Sequence, residues 1–281
     1  MSEQEPIIQV ERLIKRFGDQ MVLNGINLEV YPGETMVIMG GSGCGKSTLL
    51  RIMIGSVKPT AGKVMVLGED MSELNERLLD ELRKRIGILF QSGALFNSLT
   101  VGENVALPLR EHTKLHRDVI DLQVTIKLNQ VSLLHARHKM PAQISGGMKK
   151  RAGLARALAM DPQILFYDEP SAGLDPVTSS QIDELIINLS KGLGVTSVVV
   201  THEMDSAFRI ADRMCMLNRG KVLKVGRREK FEHLRDSPNT EAFGEDELLM
   251  RQFLRGDAEG PIGSDEDSEG FFEELGVFSR R

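Results

Sequence analysis

Short apolar runs alternate along most of the chain with segments whose apolar residues recur at helical spacing. Apolar runs bounded by turn residues predict buried strands, and the helical spacing predicts helices packed against them. Residues 7–31 differ, because short apolar runs around Gly18 and Gly25 indicate an antiparallel β region. The predicted strands are residues 34–39, 63–67, 86–90, 164–167 and 198–200, followed by a hairpin of residues 214–217 and 222–223. The predicted helices are residues 48–54, 73–85, 104–109, 119–131, 149–160 and 177–191.

Strands alternating with helices, together with one mainly helical stretch, predict an α/β domain that carries a helical subdomain. We place the α/β domain at residues 6–238 and its inserted helical subdomain at about residues 93–160. Residues 239–281 form an acidic extension, since from Thr240 onward twelve residues are Asp or Glu and four are Lys or Arg. Such an excess of acidic residues predicts, by default, a solvated tail.

Two apolar segments interrupt the acidic extension. In each segment the apolar residues fall on one side of a short helix. Because short amphipathic helices are rarely stable alone in water, we expect each to dock on a neighbouring subunit, most simply a second copy of the chain. A disordered tail is the alternative. The residues are Leu249, Phe253 and Leu254 in the first segment and Phe271, Leu275 and Phe278 in the second.

The composition is ordinary for a soluble globular protein, with 41% hydrophobic and 27% charged residues among 281. No apolar run approaches the roughly 18 residues that cross a membrane, and the acidic residues 1–5 do not have the pattern of a signal peptide. We therefore expect the protein to stay in the cytosol. Two cysteines are too few for a disulfide framework, and a net charge of −5 argues against a nucleic-acid surface.

A glycine-rich stretch lies between the first buried strand and the helix that follows it. Its sequence fits G-x-x-x-x-G-K-[ST], a loop whose backbone N–H groups hold phosphates at the start of a helix. Lys46 can then reach the β- and γ-phosphates, and the Ser47 hydroxyl can bind Mg²⁺. By itself the loop predicts a nucleoside triphosphate and nothing about its use. The predicted phosphate-binding residues are Gly40, Gly41, Ser42, Gly43, Cys44, Gly45, Lys46, Ser47 and Thr48.

Cys44 lies inside this loop. Converging N–H groups, Lys46 and the positive end of the helix should favour the thiolate over the thiol. We therefore expect Cys44 to react readily with maleimide and to be protected by MgATP. The alternative is a small loop side chain of ordinary reactivity.

The strand at residues 164–167 ends in two carboxylates, Asp168 and Glu169. Open α/β sheets bind ligands at the carboxyl ends of their strands. Asp168 should therefore arrive beside Ser47 and the Mg²⁺ ion, and Glu169 is placed to activate water as a general base.

Residues 144–148, Ile-Ser-Gly-Gly-Met, resemble the signature motif of the ATP-binding cassette (ABC) ATPases, and other motifs of that family follow in matching order. The resemblance covers about residues 6–235 and implies a RecA-like P-loop ATPase with a mixed sheet, an antiparallel β region and a helical subdomain. It implies that Phe17 stacks on adenine, that Gln91 contacts Mg²⁺ together with Ser47 and Asp168, and that Gln91 and His202 sense the γ-phosphate. The D-loop is residues 171–175, with Asp175 near the nucleotide.

The family resemblance also implies a dimer. Ser145, Gly146 and Gly147 stand at a helix start, which is a second anion site. A whole helical subdomain separates them from the phosphate loop of their own chain. In the family, two copies pack head to tail, and each ATP lies between the phosphate loop of one copy and the signature of the other.

Residues 90–105 and 108–112, together with Met148 in the signature, look like those of the Mla-type (maintenance of lipid asymmetry) phospholipid transporter ATPases. Residues 251–256 and 258–261 resemble that subgroup as well. This likeness implies an ATP-hydrolysing subunit that powers phospholipid transport between bacterial inner and outer membranes, from the cytoplasmic side of the inner membrane. Implied partners are a second copy, a transmembrane permease, an MCE-type substrate-binding protein and a small accessory subunit. The alternatives are an importer ATPase for another small solute and a soluble ABC-type ATPase outside transport.

The segment after Gln91 should present a groove to a helix of the permease, with Phe96 and Leu99 among its lining residues. Because the sequence has no membrane span of its own, a permease would be required for transport.

Overall fold

The computed structural model describes residues 5–238 and 243–257, together with residue 260. Two compact units divide the chain after Val225, and each is described by itself. The strands are β1 (Ile8–Phe17), β2 (Gln20–Val30), β3 (Thr35–Met39), β4 (Ala61–Val66), β5 (Glu69–Asp70), β6 (Ile86–Leu89), β7 (Ile164–Asp168), β8 (Thr196–Val200), β9 (Arg213–Asn218) and β10 (Lys221–Arg227). The helices are α1 (Lys46–Met53), α2 (Glu76–Arg83), α3 (Val101–His112), α4 (Arg117–Gln130), α5 (Gly146–Ala157), α6 (Pro176–Leu193), α7 (Met204–Ile210), α8 (Arg228–Asp236) and α9 (Glu245–Arg255).

A six-stranded sheet of order β10-β9-β3-β8-β7-β6 forms the centre of the first unit. Five of its strands run parallel to one another, namely β9, β3, β8, β7 and β6. Ile38, Val200 and Asp168 lie side by side in register on β3, β8 and β7. The carboxyl ends of these three strands therefore meet at one edge of the sheet.

A second, four-stranded sheet of order β2-β1-β4-β5 is antiparallel. Helix α1 contacts β2 and β4 of this sheet as well as β7 and β8 of the central one. One apolar core cluster accordingly joins residues of both sheets with buried residues of α1 such as Leu49 and Leu50. The predicted mixed sheet with an antiparallel β region is confirmed.

Helices α3, α4 and α5 contact one another and form the helical subdomain. Helix α3 begins at a capping box in which Thr100 and Glu103 bond each other's backbone N–H groups. The buried Asn104 side chain accepts from the Phe96 backbone N–H at 2.8 Å and donates to the carbonyls of Phe96, Leu99 and Thr100 at 3.0–3.1 Å. This one amide fixes the loop that leads into α3.

Most predicted elements are present, and their observed ends differ from the predicted ends by a few residues. The helix predicted over residues 73–85 is α2, which starts after Asn75 because the Asn75 side chain accepts from the Leu78 N–H. The helix predicted over residues 104–109 is part of the longer helix α3, which contains Pro108. Helices α7 and α8 were not predicted. Within the described residues, no helix has the length and apolar character to cross a bilayer.

In the second unit, α8 and α9 contact each other. The Arg251 guanidinium donates to the backbone carbonyls of Leu234, Arg235 and Ser237 at 2.7–3.1 Å, which ties α9 to the end of α8. Helix α9 contains the first amphipathic segment.

The buried residues of α9 are Met250, Gln252 and Leu254. Leu249 and Phe253 are half-buried, and the expected docking of this segment on a neighbouring subunit stays a prediction. The second segment and most of the link before it lie outside the described residues. The domain boundary at residue 238 stays a prediction.

Candidate active site

The glycine-rich loop connects β3 to α1 at the edge where the central strands end. Gly40 has φ +149°, and a Cβ atom there would lie 2.1 Å from the Leu217 carbonyl oxygen. Gly45 caps α1 with φ +108° and contributes no side-chain cap. Only glycine fits this backbone at both positions. The first N–H groups of α1 are thus left to a ligand, which is the geometry of a phosphate site.

The Lys46 side chain lies over the loop. It is 8% exposed, and its Nζ atom donates to the carbonyls of Gly40 at 2.7 Å and Gly41 at 2.9 Å. These bonds hold a cation at the mouth of the loop, next to the exposed hydroxyl-bearing Ser47. The loop therefore concentrates positive charge and N–H donors at one point.

Asp168 ends β7 beside this loop, where the sheet register puts it. Burial raises its pKa, and the charge of Glu169 adds to the rise, whereas the charges of Arg51, Lys46 and Lys150 oppose it. The charge of Lys46 thus acts on Asp168, while the position of Asp168 beside Ser47 and Mg²⁺ stays a prediction. Arg51, one turn into α1, was not among the predicted site residues.

Glu169 and His202 form a pair across the ends of β7 and β8. Glu169 has φ +50°, an uncommon value for a residue with a side chain. The His202 Nδ1 atom lies 2.9 Å from Oε1 of Glu169, and the His202 N–H donates to Oε2 at 3.4 Å. The Glu169 side chain is 13% exposed and the imidazole 59%. The carboxylate is thus held in place while one side of the pair faces solvent.

Sequence reasoning missed Lys150. Its Nζ atom donates to the Glu169 carbonyl at 2.9 Å, and burial lowers its pKa, while the charges of Glu203, Glu169 and Asp168 oppose that shift. The available signal was the Lys/Arg-rich start of α5, but residue order alone does not say which of its cations turns inward.

The signature residues lie at the start of α5. Ser145 is its N-cap and accepts from the Met148 N–H at 3.3 Å. A Cβ on Gly147 would lie 2.5 Å from Cγ2 of Thr178, at the start of α6, and one on Gly146 would be 3.7 Å from Leu174. In the described part of the chain no hydrogen bond joins these residues to the glycine-rich loop. The signature residues therefore pack against the start of α6.

The other predicted contacts of the nucleotide lie at the surface. Phe17 is 50% exposed at the end of β1, with the Lys15 ammonium 4.7 Å from its ring centroid. Gln91 is exposed two residues beyond β6. Asp175 caps α6, and hydrogen bonds from Thr178 lower the pKa of its carboxyl. Their contacts with adenine, Mg²⁺ and phosphate stay predictions.

The expected reactivity of Cys44 is wrong. The side chain is buried, and burial raises the pKa of its thiol despite the opposing charge of Lys46 and the loop N–H groups. The loss of hydration outweighs the local dipoles, so the thiol form is favoured at neutral pH.

The residue set fits a nucleotide with Mg²⁺. The two glycines leave room where side chains would obstruct the loop, and the donors are N–H groups and an ammonium, as phosphate requires. Within residues 5–238, 243–257 and 260, no cluster of three or more His, Cys, Asp or Glu side chains could hold a metal alone. Mg²⁺ in phosphate sites needs only one or two protein oxygens besides the phosphates, and Asp168 and Ser47 are the predicted donors.

Comparison with known proteins gives a consistent result. A family described as "ABC transporter" matches residues 23–172. The Haemophilus influenzae protein named "Intermembrane phospholipid transport system ATP-binding protein MlaF" is 39% identical over 96% of this chain and 98% of its own length. The Mycobacterium tuberculosis protein named "Probable ribonucleotide transport ATP-binding protein mkl" is 40% identical over 93% of this chain and 70% of that protein.

Two solved structures are also similar. One is described as a dimeric, post-hydrolysis state of the ATP-binding cassette MJ0796 bound to ADP and Pi; it is 32% identical, has a TM-score of 0.72 and covers 78% of this chain and 98% of its own. The other is cbiO1 from Clostridium perfringens, described as part of the ABC transporter complex cbiONQ. It is 30% identical, with a TM-score of 0.75, over 96% of this chain and 100% of its own.

Proposed function

We propose, from the premise that the chain belongs to the ABC transporter family as an ATP-hydrolysing subunit, that it powers phospholipid transport between bacterial membranes. The observation that supports hydrolysis is the Glu169 carboxylate, fixed by His202 next to Asp168 and the glycine-rich loop. For phospholipid, the support is the likeness to MlaF, which runs over nearly the full length of both chains.

The chemistry follows from the positions of these side chains. Loop N–H groups and Lys46 bind the phosphates. Ser47, Asp168 and Gln91 would hold Mg²⁺, which would supply positive charge to neutralise the phosphates. Glu169 accepts a proton from the attacking water. His202 fixes the orientation of that carboxylate, because both its ring nitrogen and its backbone N–H contact it. Gln91 and His202 are also placed to respond to the γ-phosphate.

A second copy of the chain completes the site. Ser145, Gly146 and Gly147 form no hydrogen bond to the glycine-rich loop of their own chain in the described residues, yet their N–H groups start a helix suited to phosphate. In a head-to-tail dimer these groups contact the nucleotide on the partner, and Asp175 lies close to it. Phe17 stacks on adenine. The solved relative MJ0796 is described as dimeric with ADP and Pi, which supports this arrangement.

A groove of about 280 Å³ beside β6 and α3 is the candidate seat of a permease helix. Phe90, Pro108, His112 and Arg156 line it together with residues of α2. Phe96 is 52% exposed and borders it through the Arg156 guanidinium, which lies 5.9 Å from the ring centroid. Neither Phe96 nor Leu99, the two residues predicted to line the groove, is among its lining residues. Apolar surface rimmed by charge is suited to an amphipathic helix.

The subunit would thus work at the cytoplasmic side of the inner membrane, bound to a transmembrane permease. An MCE-type substrate-binding protein and a small accessory subunit complete the proposed complex. Mass spectrometry of the affinity-purified membrane complex tests the substrate. Enriched phospholipid supports the proposal, and bound ribonucleotide other than ATP or ADP, without enriched lipid, would favour the activity named for the mycobacterial relative.

Glu169→Gln tests the catalytic role. Removing a general base lowers the rate about 10²–10⁴-fold, equivalent to roughly 3–5 kcal/mol of barrier at 1.36 kcal/mol per tenfold. The phosphate and Mg²⁺ ligands remain, so we expect ATP to bind and the ATP-bound dimer to persist on size-exclusion chromatography. Glu184→Gln, an exposed carboxylate on α6, is the control and should keep wild-type ATPase. Near-wild-type ATPase in the assembled Glu169→Gln complex would contradict the assignment.

A further inference from the structure

The Lys150 side chain makes an unusual contact next to the candidate catalytic pair. It is 5% exposed, although lysine is almost never fully buried unless it is paired. Its partner is the Glu169 main-chain carbonyl, 2.9 Å from Nζ, rather than a carboxylate oxygen. The same carbonyl also accepts from the Ala172 N–H at the longer distance of 3.3 Å.

The contact falls on a strained point of the backbone. Glu169 has φ +50°, which costs of order 1–3 kcal/mol and persists only where neighbouring groups hold it. Its N–H donates to the Val200 carbonyl at 2.9 Å, so that bond fixes one side of the peptide. Lys150 fixes the other side with a charge-assisted bond, which is stronger than a neutral one.

The charge of Lys150 has a second effect. The carboxylates of Asp168, Glu169 and Glu203 all act on it, and no other cation in the described residues donates to the Glu169 carbonyl. The attraction of these carboxylates helps to hold the buried ammonium in place. Lys150 therefore has the position to align the Glu169 backbone.

We propose that Lys150 is a positioning residue for ATP hydrolysis, which holds the Glu169 backbone in its left-handed conformation and ties it to α5. The inference rests on the proposed function of Glu169. It also connects the two ends of the site, because α5 begins at the signature Ser145, five residues before Lys150. A shift of α5 would move the backbone of the catalytic glutamate with it.

The test uses the assembled wild-type complex and three variants. Lys150→Met keeps the length and packing of the side chain but removes the cation and the donor. Lys150→Arg restores a cation that can donate to the carbonyl. Lys149→Met is the matched control, since Lys149 is the neighbouring cation on α5, and in the described residues no hydrogen bond or ion pair joins its side chain to Glu169 or His202.

We expect Lys150→Met to lower kcat about 10–100-fold, because a misplacement of about 1 Å can cost 10²-fold. The KM for ATP and the Kd for a fluorescent ATP analogue should stay within twofold, since the phosphate loop is untouched. Lys150→Arg should recover most of kcat, and Lys149→Met should match wild type. Thermal unfolding is followed for each variant; if Lys150→Met does not fold, Lys150→Gln, too short to reach the carbonyl, replaces it.

A kcat within twofold of wild type for Lys150→Met would overturn the proposal. So would a rise in KM that accounts for the whole loss, or a folded Lys150→Arg variant no more active than Lys150→Met. Absence of ATPase in the wild-type complex would instead refute the proposed function itself.

Discussion

Gly147 in the signature offers a prediction that can be worked from distances. A Cβ atom added there would lie 2.5 Å from Cγ2 of Thr178, whereas carbon atoms in contact are about 3.5–4.0 Å apart. Thr178 cannot easily yield, because its χ1 angle is stiff and its hydroxyl donates to Asp175 at 2.5 Å. The overlap of at least about 1 Å must therefore be relieved by moving α5 away from α6.

Overpacking of this kind typically costs 1–3 kcal/mol. For a chain of this size each kcal/mol lowers Tm by roughly 2–4 °C, so Gly147→Ala should lower Tm by about 2–12 °C in differential scanning calorimetry. Thr178→Ser removes the interfering methyl group and keeps the hydroxyl that bonds Asp175. The double variant Gly147→Ala/Thr178→Ser should therefore recover most of the lost Tm, with a coupling free energy of about 1 kcal/mol or more.

Gly146→Ala is the control for the chemical change itself. Its Cβ would meet its nearest neighbour, Leu174, at 3.7 Å, an ordinary contact. Because alanine favours the helix over glycine, its Tm should equal or slightly exceed that of wild type. If Gly147→Ala is as stable as Gly146→Ala, or if Thr178→Ser fails to recover the loss, the steric explanation is refuted.

Two further predictions concern Cys44 and Asn104. Burial raises the pKa of the Cys44 thiol, so at pH 7 maleimide should label Cys44 more slowly than free glutathione. The labelling rate, measured by peptide mass spectrometry, should rise up to about tenfold per pH unit below the pKa. Fast labelling at pH 7 would contradict this prediction. Asn104→Ala removes the amide that holds the Phe96 loop and should lower the free energy of unfolding by about 1–3 kcal/mol in urea titration. The control Asn97→Ala, at an exposed site, should change it by less than about 0.5 kcal/mol.

The sequence alone determined the elements that depend on local pattern. A buried strand, a glycine-rich loop and a helix occupy fewer than about twenty consecutive residues, so their spacing fixes the phosphate site without knowledge of the rest of the fold. The carboxyl-end rule for α/β sheets likewise predicts Asp168 beside Ser47, and in the structure Asp168 lies in register with the ends of β3 and β8. Motif order was sufficient for the family.

Tertiary structure alone decided how distant segments meet. Glu169 contacts His202 from 33 positions away and Lys150 from 19, and these pairings depend on which face of each element turns inward. The Cys44 error has the same origin. Loop dipoles are visible in the sequence, but the pKa of a thiol also depends on its hydration. The packing of both sheets around α1 removes that hydration, so the balance between dipoles and burial is set only once the whole core has formed.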